Sequence, residues 1–290
     1  MINFLKYRWL YLIISTFVIG LGLYSIISFG YAYSIDFTGG SIIEYQIKPE
    51  IKKENIEKVF RDKKIKFSSI TKSQQGYLIR SVAIDEKQEK QINETIKNGN
   101  NLKEIKTLRF ETVGPSLGKE TVNKTVYASI IAVIGILLYM TYAFKKISYG
   151  LAAIIAMIHD FVVLIGVYSL LNRFFGAEVD TLFVTAALTT MSFSVHDTIV
   201  VFDKIRELRQ FSSEPLETIT NKALTTTMVR SLNNSLTIVL MLIPLIFFSG
   251  EAMKYFAAAL LVGTITGTYS SPFIATPLFV FLEKRIGSKR

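Results

Sequence analysis

Six apolar stretches of this chain are long enough, or nearly so, to cross a lipid bilayer. They are Trp9–Phe29, Val126–Phe144, Gly150–Leu171, Thr181–Phe202, Leu236–Gly250 extended at its start, and Tyr255–Leu282. A helical span takes about 20 residues at about 1.5 Å each. In hydrocarbon every backbone N–H and C=O must be satisfied internally, so such runs read as helices. The fifth run is short and contains Pro244, and it reaches full length only if its helix starts near Arg230. The sixth is longer than one span needs.

Half of the 290 residues are hydrophobic and the formal net charge is +10. In a soluble protein that charge would suggest nucleic acid. Its placement argues otherwise. With the N-terminus in the cytoplasm, the cytoplasmic pieces hold Lys6, Arg8, Lys145, Lys146, Lys204, Arg206, Arg209, Lys222, Arg230, Lys284, Arg285, Lys289 and Arg290. The two short loops on the other side hold only Arg173 and Lys254. By the positive-inside rule this puts both termini in the cytoplasm of a multi-pass membrane protein. No aromatic-basic platform stands out, so a nucleic-acid partner is not expected. Cysteine is absent, which excludes disulfides and thiolate metal sites. The first apolar run is too long for a cleavable signal peptide, and Gly30-Tyr31-Ala32 is a poor cleavage site, so it reads as a retained helix.

The expected organisation follows. Residues 1–29 are the cytoplasmic N-terminus and first span, 30–124 an extracytoplasmic domain, 125–282 five further spans and 283–290 a cytoplasmic tail. In residues 30–124, Ser41–Lys48 alternates with Ile43, Tyr45 and Ile47 on one face, and Lys52–Asp62 puts Ile56, Val59 and Phe60 on one helical face. Ile65–Lys72 and Tyr77–Ile84 read as strands joined around Gln75-Gly76. Asp85–Asn98 is helical, stopped by Gly99 and its flanking asparagines, and Glu104–Val113 is a last strand. The order β-α-β-β-α-β is the ferredoxin-like arrangement of a small α+β domain. It has no His, no Cys and no nucleophile-base pair, which fits a contact module rather than an enzyme. In the membrane part, Lys145-Lys146 makes a tight turn. A longer cytoplasmic segment near 203–229 is expected to carry a short amphipathic helix beginning at Glu214-Pro215-Leu216-Glu217, either lying on the membrane surface or serving as a plain solvated linker.

The polar residues inside the apolar runs are the functional candidates. Asp197 lies near the end of the fourth run, with Ser194 and Thr190 on the same helical stripe. A carboxylate inside a span costs roughly 3 kcal/mol on insertion scales, and it usually marks an ion or proton path. The plainer reading, a carboxylate snorkelling to the cytoplasmic surface, stays open. Asp203, beside Lys204 and Arg206, reads as a topological charge. His159-Asp160 near the middle of the third run is either a hydrogen-bonded packing pair or a proton relay. Metal ligation is not expected, because His196 is the only other histidine. No cofactor is expected either. Arg230 is the candidate counter-charge to Asp197; the plainer reading, an anchor at a cytoplasmic helix end, stays open. In the sixth run Gly263-x-x-x-Gly267 allows close helix approach. Thr268, Ser270 and Ser271 follow it and either pack or hydrate a proton path.

Five blocks carry a resemblance. They are Ile35-Asp36-Phe37-Thr38-Gly39-Gly40, with Asp36, Gly39 and Gly40 its chief residues; Val113-Gly114-Pro115-Ser116-Leu117-Gly118; His159-Asp160; Asp197 through Glu207; and Gly267-Thr268-Tyr269-Ser270-Ser271. In this order and at this spacing they resemble the SecF family, membrane subunits of the bacterial Sec protein-export system within the RND superfamily. The resemblance implies a six-helix half that pairs with a related half, SecD, as a twelve-helix unit beside the SecYEG channel. It implies use of the proton-motive force to help an exported polypeptide move outward across the cytoplasmic membrane, without enzymatic chemistry. It makes Asp197 the family's fourth-helix aspartate and Arg230 the fifth-helix arginine coupled to it. Three residues depart from the family pattern: Ser34 stands for a usual Gly, His196 for a usual Asn and Lys204 for a usual Arg. His196 puts a second titratable group beside the key carboxylate.

The alternative from another class is half of an RND-type proton-coupled transporter for lipids or drugs. Such transporters carry two homologous halves and two large external domains, whereas this chain has one of each and no internal repeat. A third reading, a structural scaffold, would lose nothing when Asp197 becomes Asn.

Overall fold

The computed structural model describes residues 3–72, 76–100, 102, 104–144 and 146–286. Gln75, Lys145, Lys289 and Arg290, used above for a hairpin, a turn and the tail, lie outside these. A 3-10 turn, Phe4–Tyr7, leads into α1 (Arg8–Phe29). Then come α2 (Ile35–Thr38), β1 (Gly40–Lys48), α3 (Lys53–Asp62), β2 (Phe67–Lys72), β3 (Tyr77–Ser81), α4 (Glu86–Gly99) and β4 (Glu104–Val113). The rest is helical: α5 (Pro115–Phe144), α6 (Ile147–Phe175), α7 (Thr181–Phe211), α8 (Leu216–Phe248), α9 (Glu251–Ser270), a π-helical turn over Ser271–Ala275, and α10 (Thr276–Ile286). The chain divides into two compact units, Tyr33–Val126 and the remainder.

In the smaller unit the strands order as β2-β3-β1-β4, every neighbouring pair antiparallel. This is the split β-α-β arrangement that the alternation implies. Ile43 pairs with Ile79 on one side and Phe110 on the other. Ile43, Tyr45 and Ile79 are fully buried beneath Ile56 and Phe60 of α3 and Ile92 and Ile96 of α4. Burial, with Glu89 second, pushes the Tyr45 hydroxyl well above the usual tyrosine range. Asp85 caps α4 in a reciprocal box with Gln88. The third strand is shorter than Tyr77–Ile84, because beyond Ser81 the chain turns so that the Ile84 N–H reaches the Ser41 hydroxyl.

The Asp36 block and the Pro115 block meet in this unit. Ser34 caps the four-residue α2 through the Asp36 N–H. Gly39 follows with a positive φ of 70°, where a side chain is strained. A Cβ at Gly39 would lie 2.8 Å from the Pro115 Cα, and one at Gly118 would lie 2.8 Å from the Gly39 nitrogen. The two blocks therefore cross backbone on backbone at Gly39, whereas Gly40 stands against β3, where a Cβ would lie 2.7 Å from the Ser81 carbonyl oxygen.

Among the described residues six helices are long and apolar enough to cross a membrane. In the larger unit α1 packs along α6, where the Ser25 and Ser169 hydroxyls bond at 3.0 Å. At one end Tyr149 stacks on Phe279 with centroids 4.2 Å apart, and Phe144 and Phe202 close the cluster. Beside it Glu283 accepts from Lys146, Ser148 and Arg209, tying α6, α7 and α10 together.

The fifth span departs from expectation. Its helix starts at Leu216, not near Arg230, and runs unbroken through Pro244. The expected separate helix at Glu214–Glu217 does not exist: it is the first turn of α8, after a short link from α7, which itself continues to Phe211. Ile219, Ala223 and Leu224 bury one face of this polar half, and Thr225, Thr226 and Thr227 bond back to carbonyls four residues earlier. Hydropathy marks only the lipid-facing stretch of such a helix. The sixth span is also not one regular helix, since Pro272 lacks an N–H and sits in the π-turn.

Candidate functional site

The apolar stripes bring α6, α7, α8 and α9 together, and their polar residues gather in two centres. Glycines permit this. A Cβ on Gly263 would come 2.1 Å from Thr190 Cγ2, and one on Gly267 would come 3.1 Å from Ser194 Cα. The predicted Gly263-x-x-x-Gly267 approach is thus between α9 and α7.

The first centre is built around Asp160 on α6. Its Oδ1 lies 2.9 Å from Nδ1 of His159. Its Oδ2 accepts hydrogen bonds from Ser194 of α7 at 2.5 Å and Ser270 of α9 at 2.6 Å. One carboxylate so joins three helices. Asp160 is 4% exposed and His159 9%. Just beyond, Thr198 and Ser271 share a hydrogen bond of 2.9 Å.

The second centre is Asp197, only half-buried. Its Oδ2 accepts from the Ser231 hydroxyl of α8 at 2.7 Å. It lines a cavity of about 170 Å³ with His196, Val200, Arg230, Ser231 and Asn234. Arg230 therefore faces the same space as Asp197, as the counter-charge reading requires, but the two form no ion pair here. His196 is exposed and also borders a larger cavity of about 400 Å³ against Gly135 and Tyr139 of α5. Ser235 continues the polar edge of α8 to Thr268 of α9 at 2.5 Å.

The stripe Thr190, Ser194 and Asp197 is therefore split between neighbours. Thr190 packs on Gly263, Ser194 serves Asp160, and Asp197 turns to α8. Asp203 pairs with Arg206 at 2.6 Å on the exposed end of α7. Sequence reasoning missed Ser231, Asn234 and Ser235; their i, i+3, i+4 spacing on α8 was the available signal. It also missed Glu283, whose partners Lys146 and Arg209 count above only as topological charges. Among the described residues no cluster of His, Cys, Asp or Glu is arranged to hold a metal ion. Within the spans, then, the arrangement offers carboxylates, imidazoles and hydroxyls, groups that carry protons.

Comparison with known proteins identifies a family. The family model described as "Protein export membrane protein SecD/SecF, C-terminal" matches residues 92–285. A protein translocase subunit SecF from Thermobaculum terrenum is 36% identical, the match covering 98% of this chain and 95% of that protein. A protein translocase subunit SecF from Anaerolinea thermophila is 38% identical, over 98% of this chain and 94% of that protein. The crystal structure of SecDF from Thermus thermophilus, a translocon-associated membrane protein, superposes with a TM-score of 0.83 at 29% identity. The match covers 98% of this chain but only 39% of the SecDF chain. By sequence, fold and the six membrane-length helices, this chain belongs to the SecD/SecF family of protein-export membrane proteins and corresponds to its SecF members.

Proposed function

We propose that this chain is an auxiliary subunit of the Sec protein translocase that, with a SecD half, uses the proton-motive force to promote export of polypeptides across the cytoplasmic membrane. One observation carries the mechanism. Asp197, a carboxylate within a spanning helix, faces a cavity that it shares with Arg230 and His196. Asp197 binds and releases the proton, and Arg230 tunes it. A close arginine stabilises a carboxylate's charged form by roughly 1–3 pKa units, and burial opposes it. A movement of α8 against α7 that makes or breaks the Asp197–Arg230 contact would then switch proton affinity. One charge moved across 100 mV supplies about 2.3 kcal/mol, enough to bias a two-state motion.

Both termini lie in the cytoplasm and residues 30–124 lie outside, where the small domain moves with the cycle. The unit works beside SecYEG on an exported polypeptide in transit. SecD completes the membrane unit against helices that are apolar but little covered, such as α5 and α8. The reading as a lipid or drug transporter half is not favoured, since its relatives are named translocase subunits.

The test is Asp197→Asn in energised inverted vesicles. Proton-motive-force-dependent export should be lost while membrane insertion and SecD binding persist. Normal proton-dependent export would leave a scaffold role in its place.

A further inference from the structure

Within the membrane unit, His159 and Asp160 are the most buried ion-pairing residues among those described, at 8% and 5% side-chain exposure. Asp160 accepts two hydroxyl hydrogens at Oδ2, and its Oδ1 faces His159 Nδ1. When Asp160 is ionised it has no hydrogen to give, so Nδ1 carries the one they share. His159 Nε2 is then a lone pair, buried and without a hydrogen-bond partner. An unsatisfied buried polar atom is unfavourable, so its retention asks for a use.

The surroundings define the charge. From α9, Tyr269 brings its ring to 6.4 Å from the imidazole, and its hydroxyl donates to the Tyr11 carbonyl of α1. From α7 come the hydroxyls of Ser194 and Thr198, while Asp197 and His196 line the cavity shared with α8. No Lys or Arg among the described residues forms an ion pair with Asp160. With a neutral imidazole the pair holds one net negative charge inside the membrane unit, and with an imidazolium it holds none.

We propose that His159 is a second proton-binding group of this membrane unit, taking its proton at Nε2 while Asp160 remains ionised. The step is a simple protonation. A proton from water adds to the Nε2 lone pair, Nδ1 keeps its hydrogen, and the reverse step returns the proton to water. Asp160 is the positioning residue: it selects the tautomer and aims the imidazole. Ser194 and Ser270 hold Asp160, so the charge of the pair is felt by α7 and α9 together. Use of this proton in export rests on the proton-driven reading above; the protonation itself does not.

The chain has two histidines, so His196→Gln leaves one imidazole. The full chain carrying that change and ¹⁵N-labelled histidine is reconstituted in bilayers with an unlabelled partner half. Solid-state NMR then follows the ring nitrogens against pH. The expected result is an Nδ1–H neutral tautomer at alkaline pH that converts to imidazolium as pH falls. An Nε2–H tautomer overturns the proposal, as does a ring that stays neutral down to the acid limit of folding. Asp160→Asn should mix the tautomers, because the acceptor that selects Nδ1–H is gone. An unchanged tautomer there would remove Asp160's positioning role. If that variant fails to fold, the titration of the chain with Asp160 in place still decides the main point. Proton-dependent export with a silent His159 would remove this site and keep the proposed function. A titrating His159 with proton-independent export would do the opposite.

Discussion

Asp160 and Asp197 are carboxylates on adjacent spanning helices, yet they are held in different ways. Asp160 has three side-chain contacts from three helices and almost no exposure. Asp197 has one hydroxyl donor and a cavity with a nearby arginine that it does not touch. A saturated carboxylate resists movement, because each partner it leaves becomes an unmet polar group. A carboxylate with one partner and open space can exchange partners at little cost. The difference suits Asp160 to hold α6, α7 and α9 in register and Asp197 to respond to a passing proton.

The largest effect expected of this contrast is functional. Arg230→Met should remove nearly as much proton-dependent export as Asp197→Asn, since both leave the cavity without its switch. Vesicle export with and without an ionophore reads this directly. A wild-type response to the ionophore in the Arg230→Met chain would show that Asp197 works without its neighbour.

Next is stability. Asp160→Ala leaves His159, Ser194 and Ser270 without their common acceptor, and a buried donor left unmet costs about 1–3 kcal/mol. Thermal unfolding in detergent should fall sharply for this variant and hardly for Asp197→Asn. Equal losses for the two would abolish the distinction between the centres. The seam between them gives a smaller effect. Gly263→Val would drive a side chain into Thr190, where even a Cβ lies 2.1 Å from Cγ2. Overpacking of this kind costs about 1–3 kcal/mol, read by the same unfolding measurement. An unfolding midpoint equal to that of the unchanged chain would mean that α9 can move off α7 freely.

Which parts of this contrast were legible in the sequence follows from what sequence patterns encode. Ile43, Tyr45 and Ile47 announce a half-buried strand because alternation is local. Gly263 and Gly267 announce a close approach for the same reason. The partner of each intramembrane residue is not local. Thr190, Ser194 and Asp197 share a stripe, but their neighbours on α6, α8 and α9 decide that only Asp197 meets a cavity. Asp160 read as a side issue because its two serines lie 34 and 110 residues away. The start of α8 was misplaced because apolar length measures exposure to lipid, whereas Leu216 to Arg230 is helical through packing on its buried face and side-chain bonds to its own carbonyls.

The smallest effect expected also tests the comparison most economically. Asp203 lies on α7 six residues beyond Asp197, and it too is a carboxylate beside an arginine. Its contact with Arg206 is shorter than anything Asp197 makes, at 2.6 Å. But both side chains are about half exposed, at 49% and 58%, where water and salt screen the pair. Exposed ion pairs of this kind contribute less than about 1 kcal/mol. Arg206 also donates to the Ala143 carbonyl, so it keeps a partner when the carboxylate is gone. Asp203→Asn should therefore leave proton-dependent export and unfolding close to those of the unchanged chain. If it instead matched the loss from Asp197→Asn, negative charge anywhere along this end of α7 would be sufficient, and the cavity and half-burial of Asp197 would not be what sets it apart.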